Sequence, residues 1–311
     1  MHPVKATGWL NTDLSYNERG VLIKSGIVPV NDAFFPIWDN QFPIWLLFGG
    51  RGGGKSEAVF DRLINNALTD PYFRCYYGRK VFDTVRGSCF KTIVESINKL
   101  GLANEFVFSE ADNSTMIITC KRTRNQFIPF GSDKPDKLKS IKDPTHVVCE
   151  EFNQFTFLDF QELFPTLRTP RAFCEFFGMF NTKDVYEGHW ITRVFFPERY
   201  KGNEKVELDF MKEVQIKKIF ANLVDNYFLD PDLKQWKRGQ QEYLNRLKVA
   251  AGGNLRLFDA IANGAWGVTE NEAPWLYSFD YDKHVRKLPF LPDYPVYRSF
   301  DFNNAPFPCI D

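Results

Sequence analysis

Eight consecutive residues carry the clearest chemistry in the chain: Gly49-Gly50-Arg51-Gly52-Gly53-Gly54-Lys55-Ser56 fits the pattern G-x-x-x-x-G-K-[ST]. Glycines here let backbone N–H groups turn inward around a phosphate, and a helix starting at the end of the run adds the favourable partial charge of its N-terminus. Lys55 can then reach the outer phosphates of a nucleoside triphosphate, and the Ser56 hydroxyl can ligate Mg²⁺. With Glu57, which follows directly, these residues form the expected nucleotide-binding set.

A phosphate loop specifies a nucleotide and nothing about its fate. Hydrolysis needs carboxylates at a nearby strand end, one holding the metal with its water shell and one orienting or deprotonating the attacking water. Thr145-His146-Val147-Val148-Cys149-Glu150-Glu151 supplies an apolar run ending in two acids. Glu150 is expected on the metal side and Glu151 beside the water. Without the loop, such a run would mark only a strand meeting solvent.

These residues need elements to hold them. Ile44–Phe48 reads as a buried strand entering the loop, and Ser56 to about Leu68 as the helix leaving it, stopped by Thr69-Asp70-Pro71. Cys75–Tyr77 reads as a second strand and Ser88–Leu100 as a helix ending at Gly101. Phe106–Phe108, Met116–Thr119 and Gln126–Pro129 read as short strands with an antiparallel tendency. His146–Cys149 is a strand, Leu158–Leu167 a helix and Phe173–Phe180 a strand. This alternation predicts an α/β domain with a mainly parallel sheet flanked by helices. After about Glu204 the pattern predicts helices over Val206–Phe220 and Pro231–Ala250, then a Pro-rich linker and a new strand, Val296–Phe302.

Composition narrows the function classes. With 311 residues, 44% hydrophobic and 32 of them Phe, the chain has ample material for a core. The 39 basic and 39 acidic residues cancel, so no global positive field draws the chain to nucleic acid. Locally the balance differs: residues 74–142 hold thirteen Lys or Arg against seven acids, an excess of six. The six cysteines show no CxxC pair or Cys/His cluster, which favours buried reduced thiols over zinc or disulfides. No stretch is long and apolar enough to span a membrane, and the first residues do not form a secretory signal.

The ordered motifs together resemble the large subunit of tailed-phage terminases. GGRGGGKS is similar to that family's GGRGSGKS, with Gly53 where Ser is usual and with the family's Arg inside the loop. Gly78-Arg79-Lys80, Val85-Arg86-Gly87-Ser88, Phe130-Gly131-Ser132-Asp133 through Lys137-Leu138-Lys139-Ser140, and Thr166-Leu167-Arg168 resemble further family stretches. Phe180-Asn181-Thr182 sits at the family's coupling motif, with Thr182 in place of Pro, and Glu150 departs from the usual Asp. Asp225-Asn226-Tyr227-Phe228-Leu229 and Gly264-Ala265-Trp266-Gly267 complete the match, which runs from about Phe42 to Asp311.

The resemblance implies a P-loop NTPase core over 41–204, a small mostly helical lid and linker over 205–285, and the first strand of a truncated ribonuclease H-like domain over 286–311, preceded by an arm over 1–40. It implies ATP and Mg²⁺ as cofactors, ATP hydrolysis driving double-stranded DNA into a procapsid, and location at the procapsid in the host cytoplasm. Implied partners are DNA, copies of the same chain in a ring on a capsid portal, and a small terminase subunit, with no membrane. Arg51 would touch the γ-phosphate or a neighbouring subunit, and Asn181 and Thr182 would link nucleotide state to lid movement. Asp301 matches the first metal-binding acid of the nuclease; with one such acid before Asp311, nuclease activity is not expected of this polypeptide. The alternatives are another P-loop class, such as a nucleic-acid helicase or small-molecule kinase, and a nucleotide-binding assembly subunit that never hydrolyses.

Overall fold

A computed structural model describes residues 31–109, 116–133, 141–200, 214–226 and 236–267, and the backbone of three short earlier strands. Those strands, β1 (Val4–Lys5), β2 (Val21–Ile23) and β3 (Gly26–Val28), form a small antiparallel sheet within the expected arm. The chain divides into units Met1–Thr269 and Glu270–Asp311, and every described residue belongs to the first. Asp301, the strand Val296–Phe302, Tyr227–Leu229 and Lys137–Ser140 lie outside the described residues.

The core is an eight-stranded sheet. Its strands are β4 (Ile44–Gly49), β5 (Arg74–Arg79), β6 (Phe106–Ser109), β7 (Ile117–Cys120), β8 (Gln126–Gly131), β9 (His146–Glu150), β10 (Glu175–Asn181) and β11 (Ile216–Phe220), in the order β11-β4-β10-β9-β5-β8-β7-β6. Pairing is parallel from β11 through β8 and antiparallel between β8, β7 and β6. The expected mainly parallel sheet with a short antiparallel end is therefore present.

Alternation along the strands fills two layers. Trp45, Leu47, Tyr77, Val148 and Phe177 share a core layer with the helices α1 (Pro36–Asp39), α2 (Lys55–Thr69) and α3 (Lys91–Lys99), which contribute Ile37, Val59, Phe60, Leu63, Ile64, Ile93 and Ile97. Ile44, Leu46, Phe48, Val147, Phe176 and Phe180 face the other way. There α4 (Phe157–Leu163) and α5 (Trp190–Phe195) close an aromatic layer of Phe152, Phe155, Phe160, Trp190 and Phe195. Phe152 lies 5.3 Å centroid to centroid from Phe176 and 5.0 Å from Trp190, both edge-on. This layer absorbs much of the chain's excess of Phe. Gly178 makes room for it, since a Cβ there would stand 2.6 Å from the Phe152 ring.

One expected element is wrong. Ile216–Phe220 was expected inside a helix over Val206–Phe220, but it is a strand, paired in register with Ile44–Phe48. Ile216, Ile219 and Phe220 stand at i, i+3 and i+4, a helical spacing, but the open hydrogen-bonding edge of β4 overrides it and takes the segment as a strand. Residues 206–213 are outside the described set. Beyond the sheet, α6 (Trp236–Ala250) realises the later part of the second expected helix, and Gly252 and Gly253 follow it with positive φ. A further helix, α7 (Leu255–Ala262), was not foreseen.

The far end of the sheet from the glycine loop is locked by a buried charge. Glu175 at the start of β10 accepts from Arg62 of α2 (2.6 and 3.1 Å) and from Trp45 Nε1 of β4 (2.7 Å), and it meets His146 Nε2 of β9 at 3.2 Å. Burial alone would raise the Glu175 carboxyl, but the Arg62 guanidinium and His146 outweigh it and hold it at about 2. A folded-state value below the unfolded one adds stability that is complete above about 4.5 and lost as pH falls towards 2. Arg62→Met, which strands the carboxylate in the core, should lower stability by about 3–5 kcal/mol in denaturant titrations at neutral pH, and by less at pH 3. An equal loss at both pH values would contradict the ionised assignment.

Candidate functional site

The carboxyl ends of the parallel strands meet at one edge, where open α/β sheets place their ligands. Register puts Asn181 of β10 beside Gly49 of β4, and Met179 beside Glu150 of β9. The loop strand and the acid-bearing strand are therefore not neighbours: β10 runs between them and delivers Asn181 into the gap. The cleft over this edge holds about 520 Å³. Its floor is Arg51 to Glu57, its inner wall Glu150, Glu151 and Asn181, and its sides α3 (Thr92, Glu95, Ser96, Lys99) and Tyr243 of α6.

The loop is as tightly built as its glycines suggest. Gly54, at φ 80°, is the residue before α2, so the helix begins at Lys55 with its first N–H groups turned to the cleft. A Cβ on Gly49 would lie 2.2 Å from the Ala221 carbonyl oxygen, and one on Gly50 would lie 2.5 Å from that of Ala262. Gly53, where the resembled family has Ser, would place its Cβ 2.8 Å from the Ala221 oxygen, which gives this chain a steric reason for glycine.

Most of the expected site residues converge. Lys55 Nζ donates to the Gly50 carbonyl (2.7 Å) and to Asn181 Oδ1 (3.2 Å), and burial brings its ammonium down to about 8. Ser56 Oγ donates to Glu150 Oε1 at 3.0 Å. A hydroxyl and a carboxylate at that spacing are hard oxygen donors suited to a small divalent cation. Glu151 follows at the strand end in the left-handed backbone region (φ 51°), uncommon for a residue with a Cβ and associated with functional sites. Its carboxylate pairs with the Arg79 guanidinium on one oxygen and accepts from Gln154 Nε2 (2.5 Å) on the other. Arg51 and Glu57 are exposed residues of the cleft floor. Thr182 is instead buried, its carbonyl accepting the Gly267 N–H at 2.8 Å.

Other functional groups carried weaker signals. Asn222, just after β11, accepts the Gly50 N–H on Oδ1 (2.9 Å) and donates to the Asn263 carbonyl (2.8 Å), bridging the loop to the end of α7. Asn226 donates to the Gly52 carbonyl at 2.7 Å, and the Arg51 N–H reaches the Ile261 carbonyl at 2.8 Å. Asp225 accepts the Asn222 N–H at 2.8 Å and so fixes the turn that carries Asn222, a residue that no sequence motif singled out. Trp266 packs as an anchor between Phe48, Phe180 and Phe196. Cys75, Cys89, Cys120 and Cys149 are buried free thiols and Cys174 is half-buried; burial pushes Cys75, Cys89, Cys149 and Cys174 up. The described residues contain no cluster of three His, Cys, Asp or Glu able to hold a metal, and no helix long and apolar enough to cross a membrane.

The Gly53 contact generates a direct test. Gly53→Ser should push the end of β11 away and lower the melting temperature by a few degrees, an effect of about 1–3 kcal/mol. An unchanged melting temperature would show that the Ala221 carbonyl yields freely.

Comparison with known proteins agrees with this geometry. A family model described as phage terminase large subunit matches residues 41–254. The large subunit of the PBSX phage terminase of Bacillus subtilis is 28% identical over 155 residues, which is 50% of this chain and 34% of that protein. The chain thus spans about a third of this relative's length. Among solved structures, the large terminase of a thermophilic bacteriophage in complex with ADP shares 13% identity over 84% of this chain and 60% of its own, with a TM-score of 0.56. The large terminase ATPase domain of a Thermus phage shares 14% over 76% of this chain and 94% of its own, with a TM-score of 0.53. Those two likenesses establish the fold. The family model covers well over half of the residues, and the chain belongs to the phage terminase large subunit family.

Proposed function

We propose that this chain is the ATP-hydrolysing motor part of a terminase, which binds ATP with Mg²⁺ and drives double-stranded viral DNA into a procapsid. The observation that carries the reading is the meeting of Lys55, Ser56, Glu150, Glu151 and Asn181 in one cleft beside the glycine loop. A nucleotide-bound large terminase with a similar fold supports it.

In this reading the amides from Gly52 to Ser56 hold the phosphates, because protein acceptors already take the N–H groups of Gly50 and Arg51. Lys55 neutralises charge on the outer phosphates. Ser56 and Glu150 would hold Mg²⁺, which when bound offsets the charge developing on the phosphoryl oxygens. Glu151 orients the attacking water and accepts its proton, for which it must exchange the Arg79 pairing for the water. Arg51, exposed in the cleft lining, would meet a γ-phosphate or a neighbouring subunit. Asn181 senses the phosphate end through Lys55, and Thr182 passes the change to the segment at Gly267. The partners are double-stranded DNA, further copies of the chain in a ring on a capsid portal, and a small terminase subunit, at the procapsid in the host cytoplasm. Dispersed Lys and Arg over residues 74–142 suit sequence-independent contact with a duplex.

Two outcomes follow. Glu151→Gln should bind a fluorescent ATP analogue as the unsubstituted chain does while single-turnover hydrolysis falls at least about a hundredfold; undiminished hydrolysis would remove Glu151 from the chemistry. Phosphate anions favour charged Lys55, whose value of about 8 lies in reach of ordinary buffers. Nucleotide affinity should therefore fall as pH rises above 8, by up to about tenfold per unit, with proton uptake visible in calorimetry as a dependence on buffer ionisation enthalpy. Affinity flat from pH 7 to 9.5 would contradict it.

A further inference from the structure

Glu150 is a long arm for a metal-side ligand. Its three rotatable side-chain bonds leave the carboxylate free to swing unless something holds it, and Ser56 reaches only Oε1. The hydrogen bond to Oε2 comes from Cys89, whose Sγ lies 3.3 Å away, an ordinary separation for a thiol donating to a carboxylate. Arg79 Nε forms an ion pair with the same oxygen at 3.5 Å but no hydrogen bond, and its guanidinium is shared with Glu151, so the directional contact on Oε2 is the thiol's.

The backbone around Cys89 is irregular in a way that serves this contact. Residues Arg86–Phe90 form one π-helical turn before α3, closed by the Phe90 N–H on the Val85 carbonyl at 3.1 Å. A π turn inserts one extra residue, which re-aims the side chains before it relative to the helix that follows, and such turns concentrate at functional sites. Here the turn leaves Cys89 fully buried beneath the acid-bearing edge, its sulfur also 3.8 Å from the Gly78 carbonyl at the end of β5.

We propose that Cys89 is a positioning residue for the cleft: its thiol holds Glu150 Oε2, so that Glu150, fixed at Oε1 by Ser56, presents its carboxylate to the nucleotide-bound cation in one orientation. The proposal rests on the functional reading above, in which Glu150 faces Mg²⁺. Cys89 acts through Glu150 alone, so its loss should weaken the response to the cation and leave metal-free nucleotide binding untouched. Loss of a group that orients a metal ligand costs about tenfold or more in metal affinity, and a thiol is a weak donor, so a shift of about three- to tenfold is expected.

The test titrates Mg²⁺ into the full chain with a fluorescent ADP analogue, comparing the unsubstituted protein, Cys89→Ala and Cys89→Ser. The Mg²⁺ concentration giving half-maximal tightening should rise about three- to tenfold in Cys89→Ala and return to within about twofold in Cys89→Ser, which keeps a donor. Binding without Mg²⁺ should be the same in all three. Cys89→Val, which fills the volume without a donor, repeats the loss should alanine unsettle the fold. An unchanged Mg²⁺ midpoint in Cys89→Ala and Cys89→Val overturns the proposal, as does equal weakening with and without Mg²⁺, the mark of a packing role. Failure of the unsubstituted chain to bind the analogue at all would instead overturn the nucleotide reading, and this proposal with it.

Discussion

The glycine loop is wedged between two backbone segments that leave no volume for side chains, and the rest of the site is arranged around that wedge. The Ala221 carbonyl presses on Gly49 and Gly53, and the Ala262 carbonyl on Gly50. Asn222 and Asn226 then tie the loop's own polar groups to the strand and turn behind it. A phosphate cradle works only if its amides are preorganised, since ordering a free glycine run on binding costs more backbone entropy than any other sequence. Here β11 and the end of α7 meet that cost in advance. The same contacts mean that movement of α6 and α7, which pack against one another, must be felt by the loop.

A second constraint sits at the opposite end of the sheet. Arg62, Glu175, His146 and Trp45 join α2 to the starts of β9, β10 and β4. All four elements carry site residues: α2 starts with Lys55 and Ser56, and the strands end at Glu150, Asn181 and Gly49. A slip of one strand by one residue would turn its inward residues outward, so a buried ion network at one edge protects distances of about 3 Å at the other. The near edge is held by direct contacts, Ser56 and Cys89 on Glu150 and Lys55 on Asn181.

The loop, its strand and helix, and the two acids were legible because each has a strong local signature: a glycine run, a periodic helix, an apolar run with a polar end. The mainly parallel sheet followed from their alternation. The order of strands was not legible, so β9 could not be seen to stand one strand away from the loop with Asn181 between. Ile216–Phe220 was misread because its apolar residues Ile216, Ile219 and Phe220 follow a helical spacing, and only the open edge of β4 selects the strand. Asn222 and Cys89 gave no warning, since an asparagine in a turn and a cysteine in an amphipathic stretch are unremarkable until folding brings them to Gly50 and Glu150. Gly53 is the converse case: a departure from a familiar motif whose cause is the carbonyl of a residue 168 positions later.

The central claim is that the wedged loop and the two acids form one triphosphate site. Its most direct measurement is a crystal structure of the chain with Mg²⁺ and a non-hydrolysable ATP analogue. The account predicts phosphates on the Gly52–Ser56 amides and Lys55 Nζ, the metal facing Ser56 and Glu150, and Glu151 turned from Arg79 towards the γ-phosphate. An analogue bound elsewhere, or phosphates in the loop with Glu150 and Glu151 both directed away from them, would contradict it.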